Sequence, residues 1–370
     1  MPAAQSTETP LPDPNRLVSL DALRGFDIFW IVGGDYLLRS LPGIHDDPVT
    51  RKLAAQMEHC EWAGFHFYDL IFPLFVFIVG VAIPFSLARM IEQRGKFAAV
   101  KRIIIRSVIL FLLGVFYMGG VAGGFNNMYF AGVLHRIAVA YFFAALFFCF
   151  LRTRNLVAVC IGLLAGYWVL MTFLPVPGIG APDLSAPGKN LAHYVDQLYM
   201  PGQKFEGTLL STMAAVANCL LGILAGLLLK RADFSREQKF LLLFLSGISV
   251  LSAGVAWAQI FPVIKLLWTS SYVLISCGIG AMLLAGFYFI IEIRGARRWA
   301  QPLVWLGMNA ITIYLVAGVV NFHRLAGRFV GGDIARLFGR FDDFVLALAT
   351  LGIGFWFVHF LYRRTIFLRL

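Results

Sequence analysis

Charge is what this sequence has least of. Only 14% of its 370 residues are Asp, Glu, Lys or Arg, against about 25% in a soluble globular domain. That shortage excludes an ordinary water-soluble fold. Alternating polar and apolar segments of about ten residues are also absent, which excludes a transmembrane β-barrel. The five cysteines (Cys60, Cys149, Cys160, Cys219 and Cys277) form no CxxC pair. All but Cys60 sit in apolar runs, where cysteine is a small hydrophobe, so no disulfide framework is expected. No basic segment followed by an apolar core opens the chain, so no cleavable signal peptide is read there. Residues 1–15 are polar and Pro-rich and are expected to form a disordered cytoplasmic tail. No convincing internal repeat is found, and no pair of broken helices of the transporter kind.

What the chain has instead is apolar length. It is 59% hydrophobic, with 35 Phe and 8 Trp. Runs of about 20 apolar residues, enough to cross a bilayer as a helix, recur along it. Ten spans are expected, near 17–40, 67–89, 103–121, 130–151, 156–174, 209–229, 240–262, 271–292, 302–321 and 343–362. The fold class is therefore all-α, a polytopic membrane helical bundle, with residues 16–370 as one transmembrane domain.

The net charge of +11 follows topology and does not signal nucleic acid. Most Lys and Arg fall in the even-numbered loops and at the C-terminus: Arg89 to Arg106, Arg152 and Arg154, Lys230 to Lys239, Arg294 to Arg298, and Arg363 onward. By the positive-inside rule both termini face the cytoplasm, and loops one, three, five, seven and nine face outward. A CoA- or phosphate-binding role for the Arg89–Arg106 cluster is a second reading of the same residues. Loop one (41–66) and loop five (175–208) are long for a helical bundle, and long connections are often functional.

Chemistry-bearing residues gather at the entrance of the second span, in "MEHCEWAGFHFYDLIFPLFVFIVG", Met57 to Gly80. In a short helix, His59, Trp62 and His66 share one face. Asp69 then stands in the first turn of the span, where a carboxylate also suits the helix N-terminus. A metal set of His59, Cys60, Glu61 and His66 lacks a recognised ligand spacing, so no metal is expected. The first span, "SLDALRGFDIFWIVGGDYLL", holds Asp21 and Arg24, which suit an interfacial pair, and then Asp27 and Asp35. Carboxylates inside a bilayer are costly, which makes Asp27 and Asp35 functional candidates by default. Arg136, near the outer end of span four, either snorkels to the interface or joins them. A water-filled cavity open to the outer side would accommodate all of these groups.

These blocks occur in a recognisable order. "RLVSLDALRG", "HCEWAGFHFYDLIFPLFVFIVG", "GVLHRIAVAYF", "LPVPG", "FEGTLLSTMAAVANCLLGILAG", "LWTSSYVL" and "GMNAITIYL" are similar to the heparan-alpha-glucosaminide N-acetyltransferase family over nearly the whole chain after residue 16. The wording "GFDIFWIVGGD" is closer to a bacterial branch catalogued as a domain of unknown function. The resemblance implies an integral-membrane transferase of the bacterial inner membrane. It would take an acetyl group from cytoplasmic acetyl-CoA and pass it to an amino sugar or related saccharide on the outer side. The family's active-site histidine matches His59, in an H-x-x-W context kept by Trp62, and its aspartate before "LIFP" matches Asp69. The resemblance also suggests Asp35, Trp62, Asp27 and Glu61 for the acceptor, and Arg136, His135, Asn309 and Arg106 for CoA. This chain departs from the family at Asp35, where an asparagine is usual, at His135, where a glutamine is usual, and at Asp27, which has no acidic counterpart in the lysosomal members. The expected partners are the lipid bilayer, acyl-CoA and a saccharide acceptor, with a homodimer left open.

The residue types suit acyl transfer. An amine attacking a thioester must lose a proton, and histidine is the usual base. Asp69 or Glu61 would fix the histidine tautomer; alternatively, His59 carries the acyl group itself. The competing class is a secondary transporter that uses Asp27 and Asp35 as proton or ion sites.

Overall fold

The computed structural model describes residues 17–368, so the expected tail at 1–15 lies outside them. The described residues form helices and loops, with no β-strand among them. In chain order the helices are α1 (Val18–Phe29), α2 (Asp35–Arg39), α3 (Leu41–Ile44), α4 (Pro48–Ala55), α5 (Phe67–Tyr117), α6 (Val133–Phe150), α7 (Thr153–Phe173), α8 (Leu191–Tyr199), α9 (Thr208–Lys230), α10 (Arg236–Trp257), α11 (Ser270–Tyr288), α12 (Gln301–Met308), α13 (Ala310–Val316), α14 (Phe322–Val330), α15 (Asp333–Phe338) and α16 (Asp342–Arg363).

Among the described residues, eight helical segments are long and apolar enough to cross a membrane. The longest, α5, has 51 residues and turns back at Gly95, whose φ of 79° suits glycine. Ten spans are expected from hydropathy; 67–89 and 103–121 are the two parts of α5, and the expected first span, α1–α2, is not among the eight. The chain is a polytopic helical membrane protein.

Two segments are not continuous, and neither break is expected from the sequence. A π-turn at Trp30–Gly34 separates α1 from α2, with Gly33 at φ 144°. The ninth segment breaks at Asn309, between α12 and α13, and again at a second π-turn, Ala317–Asn321. Hydropathy does not register such breaks, because a π-turn keeps its apolar side chains. The two interrupted segments pack on each other, α1 against α12 and α13. At that crossing Gly25 lies against the Leu303 carbonyl and Gly307 against that of Asp21, with no room for a Cβ. Asp21 pairs with Arg24 at 3.2 Å.

Among the described membrane-length helices α5 holds the most buried stretch; its first half packs on α9, and Phe111 and Gly114 of its second half pack on α6. Without an oil–water difference inside a bilayer, helices associate by close backbone approach, which small residues permit. Gly80 of α5 meets the Cys219 carbonyl of α9, and Gly222 of α9 meets the Phe77 carbonyl in return. Asn218 donates to the Pro73 carbonyl at 3.0 Å, and the Tyr272 hydroxyl donates at 2.7 Å to the Asp69 carbonyl, the acceptor that Pro73, having no N–H, leaves unpaired in the helix.

Loops one, three, five and seven meet at one end of the bundle. Gly64 N donates to Val263 O at 2.9 Å, beside a bridge between Ala63 and Ile264. Gln203 N donates to Met128 O at 2.9 Å. Trp62 Nε1 donates to Leu184 O at 2.7 Å, tying loop one to loop five. The candidate site is built where these ties converge on the start of α5.

Candidate functional site

Asp69 stands in the first turn of α5 and is fully buried. A buried carboxylate must be charge-paired and hydrogen-bonded to persist. Its Oδ2 accepts from the amides of His66 at 3.0 Å and Cys60 at 3.3 Å. Its Oδ1 lies 2.9 Å from His59 Nδ1 and 3.3 Å from Lys265 Nζ. One side chain thus caps the start of α5 and also faces His59 and Lys265.

His59 is half exposed, at 50%, so it is reachable from the water side. An ionised carboxylate can only accept, so the Nδ1 of His59 carries the ring proton and Nε2 presents its lone pair. Its ring lies against Tyr68, with centroids 4.9 Å apart. Of the two carboxylates considered for fixing the tautomer, Asp69 does so, while Glu61 is exposed.

Lys265 completes the cluster, from the loop between α10 and α11. Its Nζ is 2.9 Å from His59 Nε2 and 2.7 Å from Nδ1. Burial pushes its ammonium from an ordinary value of 10.5 down to about 8, against the pull of Asp69. The segment that carries it is held firmly. Trp268 adopts a left-handed φ of 52°, unusual for a bulky residue; such a conformation costs about 1–3 kcal/mol and persists only where its surroundings impose it. Here they are Phe72 at 4.7 Å, Tyr272 at 5.4 Å and the Arg136 guanidinium at 4.6 Å. Sequence reasoning missed Lys265. The signal was present: it is the single charged residue between Lys239 and Glu292.

Beneath this cluster lies a cavity of about 280 Å³. His59, Lys265 and Tyr68 line it together with Ile71, Phe72, Phe75 and Ile137. It is apolar for two turns of α5, with the polar groups gathered at one end. That is the usual build of a small-molecule site.

The other sequence candidates divide into near and far. Asp35 is near: it pairs with Arg39 at 3.6 Å. Arg39 donates to the Met57 carbonyl and lies 5.7 Å from the Tyr68 ring centre, which links Asp35 to His59 through two side chains. Trp62 is near as the tie to loop five. Arg136 donates to Ser211 Oγ at 2.7 Å and stacks on Trp268, so it is anchored inside the bundle and does not snorkel. His135 is packed against Phe111 and Gly114, on the far side of the α6 face that lines the cavity. Asn309 marks the break between α12 and α13, and Arg106 stacks on Tyr141 at 4.6 Å. Asp27 is fully buried in α1, and neither of its oxygens has a hydrogen-bond partner among the described residues.

Of the residues considered as a metal set, Cys60 and His66 do lie with Asp69, their donor atoms within 4.8 Å of one another. His66 Nδ1 is 3.0 Å from the Glu58 carbonyl, and both Asp69 oxygens are already engaged. Burial, then the Asp69 carboxylate, push the Cys60 thiol up, so it is protonated at neutral pH.

Residues 16–153 match a family described as a domain of unknown function (DUF5009). The chain is 26% identical over 373 residues to heparan-alpha-glucosaminide N-acetyltransferase of Homo sapiens, covering 82% of this chain and 52% of that protein. It is 26% identical over 380 residues to the Mus musculus protein of the same name, covering 83% and 54%. The chain thus spans about half the length of the curated relatives it matches.

Proposed function

We propose that this chain is an integral-membrane acyltransferase that moves an acyl group, acetyl in the simplest case, from acyl-CoA to an amino sugar or related saccharide. The observation that carries the reading is the His59–Asp69 pair, 2.9 Å apart at the mouth of an apolar cavity. The relatives' name, that of an N-acetyltransferase of a glucosaminide, supports the reaction class.

In this reading acyl-CoA supplies the activated carbonyl as a thioester. The apolar cavity fits the uncharged acyl end, and the basic loops at the opposite end of the bundle suit the anionic nucleotide. In this reading the chain lies in the bacterial inner membrane, with the nucleotide on the cytoplasmic side and the acceptor on the outer side, which the distribution of Lys and Arg supports. His59 Nε2 takes the proton that the acceptor amine loses on attack, and Asp69 stabilises the imidazolium that forms. Asp35 and Arg39, reached from His59 through Tyr68, hold polar groups of the acceptor. The carboxylate of Asp35 in place of the family's asparagine favours an acceptor with a cationic or strongly donating group there. The test is acyl-CoA consumption by the purified protein with a panel of amino sugars and sugar alcohols. Consumption that depends on one acceptor supports the reading, and none with any acceptor contradicts it.

One observation favours a second reading, a solute transporter. Asp27 is buried without a hydrogen-bond partner one turn before the π-turn, in an interrupted segment, and interrupted helices often line ion sites. Proton uptake into proteoliposomes, abolished by Asp27→Asn, would support it.

A further inference from the structure

Lys265 is not needed to orient His59, because Asp69 already does so. Yet a segment fixed by a left-handed tryptophan places its ammonium against the imidazole, at the lip of the cavity. An ammonium has three N–H donors. The Nζ lies 3.3 Å from Asp69 Oδ1 and 2.7 and 2.9 Å from His59 Nδ1 and Nε2, beside the imidazole ring and not along the lone pair of one nitrogen. Asp69 takes one N–H, which leaves donors for whatever enters the cavity that Lys265 and His59 line together.

Resting on the acyltransfer reading, we infer that Lys265 is a catalytic residue that donates to the carbonyl oxygen of the acyl donor and holds the oxyanion formed there. The acceptor nitrogen forms a bond to the thioester carbon, and the C=O π pair moves onto oxygen beside the Lys265 ammonium. His59 Nε2 takes the proton from that nitrogen. When the intermediate collapses, the oxygen pair returns, the C–S bond breaks, and sulfur leaves with the bonding pair. The imidazolium gives its proton to the sulfur, so the products are the amide and the free thiol, and Lys265 ends as it began.

The geometry also argues against Lys265 as the acyl carrier. Acylation of its nitrogen would make an amide, far less reactive than the thioester, and the group would stop there. Arg136 does not compete for the oxyanion role, since it is committed to Ser211 and Trp268 and does not line the cavity.

The test uses full-length protein in nanodiscs and two CoA analogues that do not react. One is a ketone in which a methylene replaces the acetyl-CoA sulfur; the other is an alkyl thioether with no carbonyl. Lys265→Met should lower kcat by about 10²–10³-fold, the usual loss for one oxyanion donor, and Lys265→Arg should restore part of it. Lys265→Met should also weaken the ketone by about tenfold or more and leave the thioether unchanged. Equal weakening of both analogues, unchanged ketone binding, or wild-type kcat in Lys265→Met would overturn the Lys265 assignment and leave the acyltransfer reading standing. A wild-type protein that neither consumes acyl-CoA nor binds either analogue overturns both.

Discussion

The Nδ1 of His59 and the Oδ1 of Asp69 stand 2.9 Å apart, and the other oxygen of Asp69 holds the amides of Cys60 and His66. One carboxylate therefore starts α5 and orients the imidazole. The two roles separate by mutation. Asp69→Asn retains an acceptor for the amides but loses the charge that opposes Lys265 and steadies the imidazolium. Turnover should fall by about 10–100-fold, as for other orienting groups, with the melting temperature nearly kept. Asp69→Ala also removes the cap, at a further cost of about 1–2 kcal/mol, and should melt earlier. Turnover and thermal unfolding of the two variants, read together, check this.

The pH profile follows from Lys265. The charged and titratable groups facing it are Asp69 from α5 and His59 and Cys60 from loop one. Its ammonium, pushed down to about 8, is a cation below that pH and a neutral amine above it. Turnover should therefore fall as pH rises through about 8. In Lys265→Arg the guanidinium keeps its charge, so the alkaline limb should move upward. The profiles of kcat for both proteins, from pH 6 to 10, check this.

The helix crossing of α5 and α9 depends on the absence of side chains at Gly80 and Gly222. Gly80→Leu forces the backbones apart and should destabilise by about 1–3 kcal/mol or more. Gly43, with nothing within 4 Å of an added Cβ, is the control, and Gly43→Leu should melt like the wild type. Thermal unfolding in detergent measures both.

The topology prediction is that both termini and the turn between the two halves of α5 face the cytoplasm. Phe97, 84% exposed, is a better labelling site than Gly95, whose φ of 79° resists a side chain. In a cysteine-free background, Phe97→Cys should react with a membrane-impermeant maleimide only after the cells are opened. Labelling of intact cells would invert the arrangement.

Much of this was legible in the chain itself. Hydropathy gives the spans because the bilayer imposes a length and a composition on each. His59 and Asp69 lie ten positions apart, so their pairing is nearly local. Lys265 is 206 positions from His59 and reaches it only through the docking of loop seven on loop one. No pattern within one segment reports such a contact. The breaks at Gly33 and Asn309 were equally silent, because they change the backbone and not the hydropathy. The link from Asp35 to His59 runs through Arg39 and Tyr68, two residues that the sequence did not single out.

The central claim is that His59 is the chemical centre of an acyltransferase. The most direct measurement is acyl-CoA consumption by His59→Ala, with an acceptor that the wild type uses, alongside the affinity of each protein for acyl-CoA. The account predicts a loss of turnover of about a hundredfold or more. Affinity and expression should barely change, because a half-exposed loop imidazole contributes little to a helical core. Full turnover by His59→Ala would contradict it.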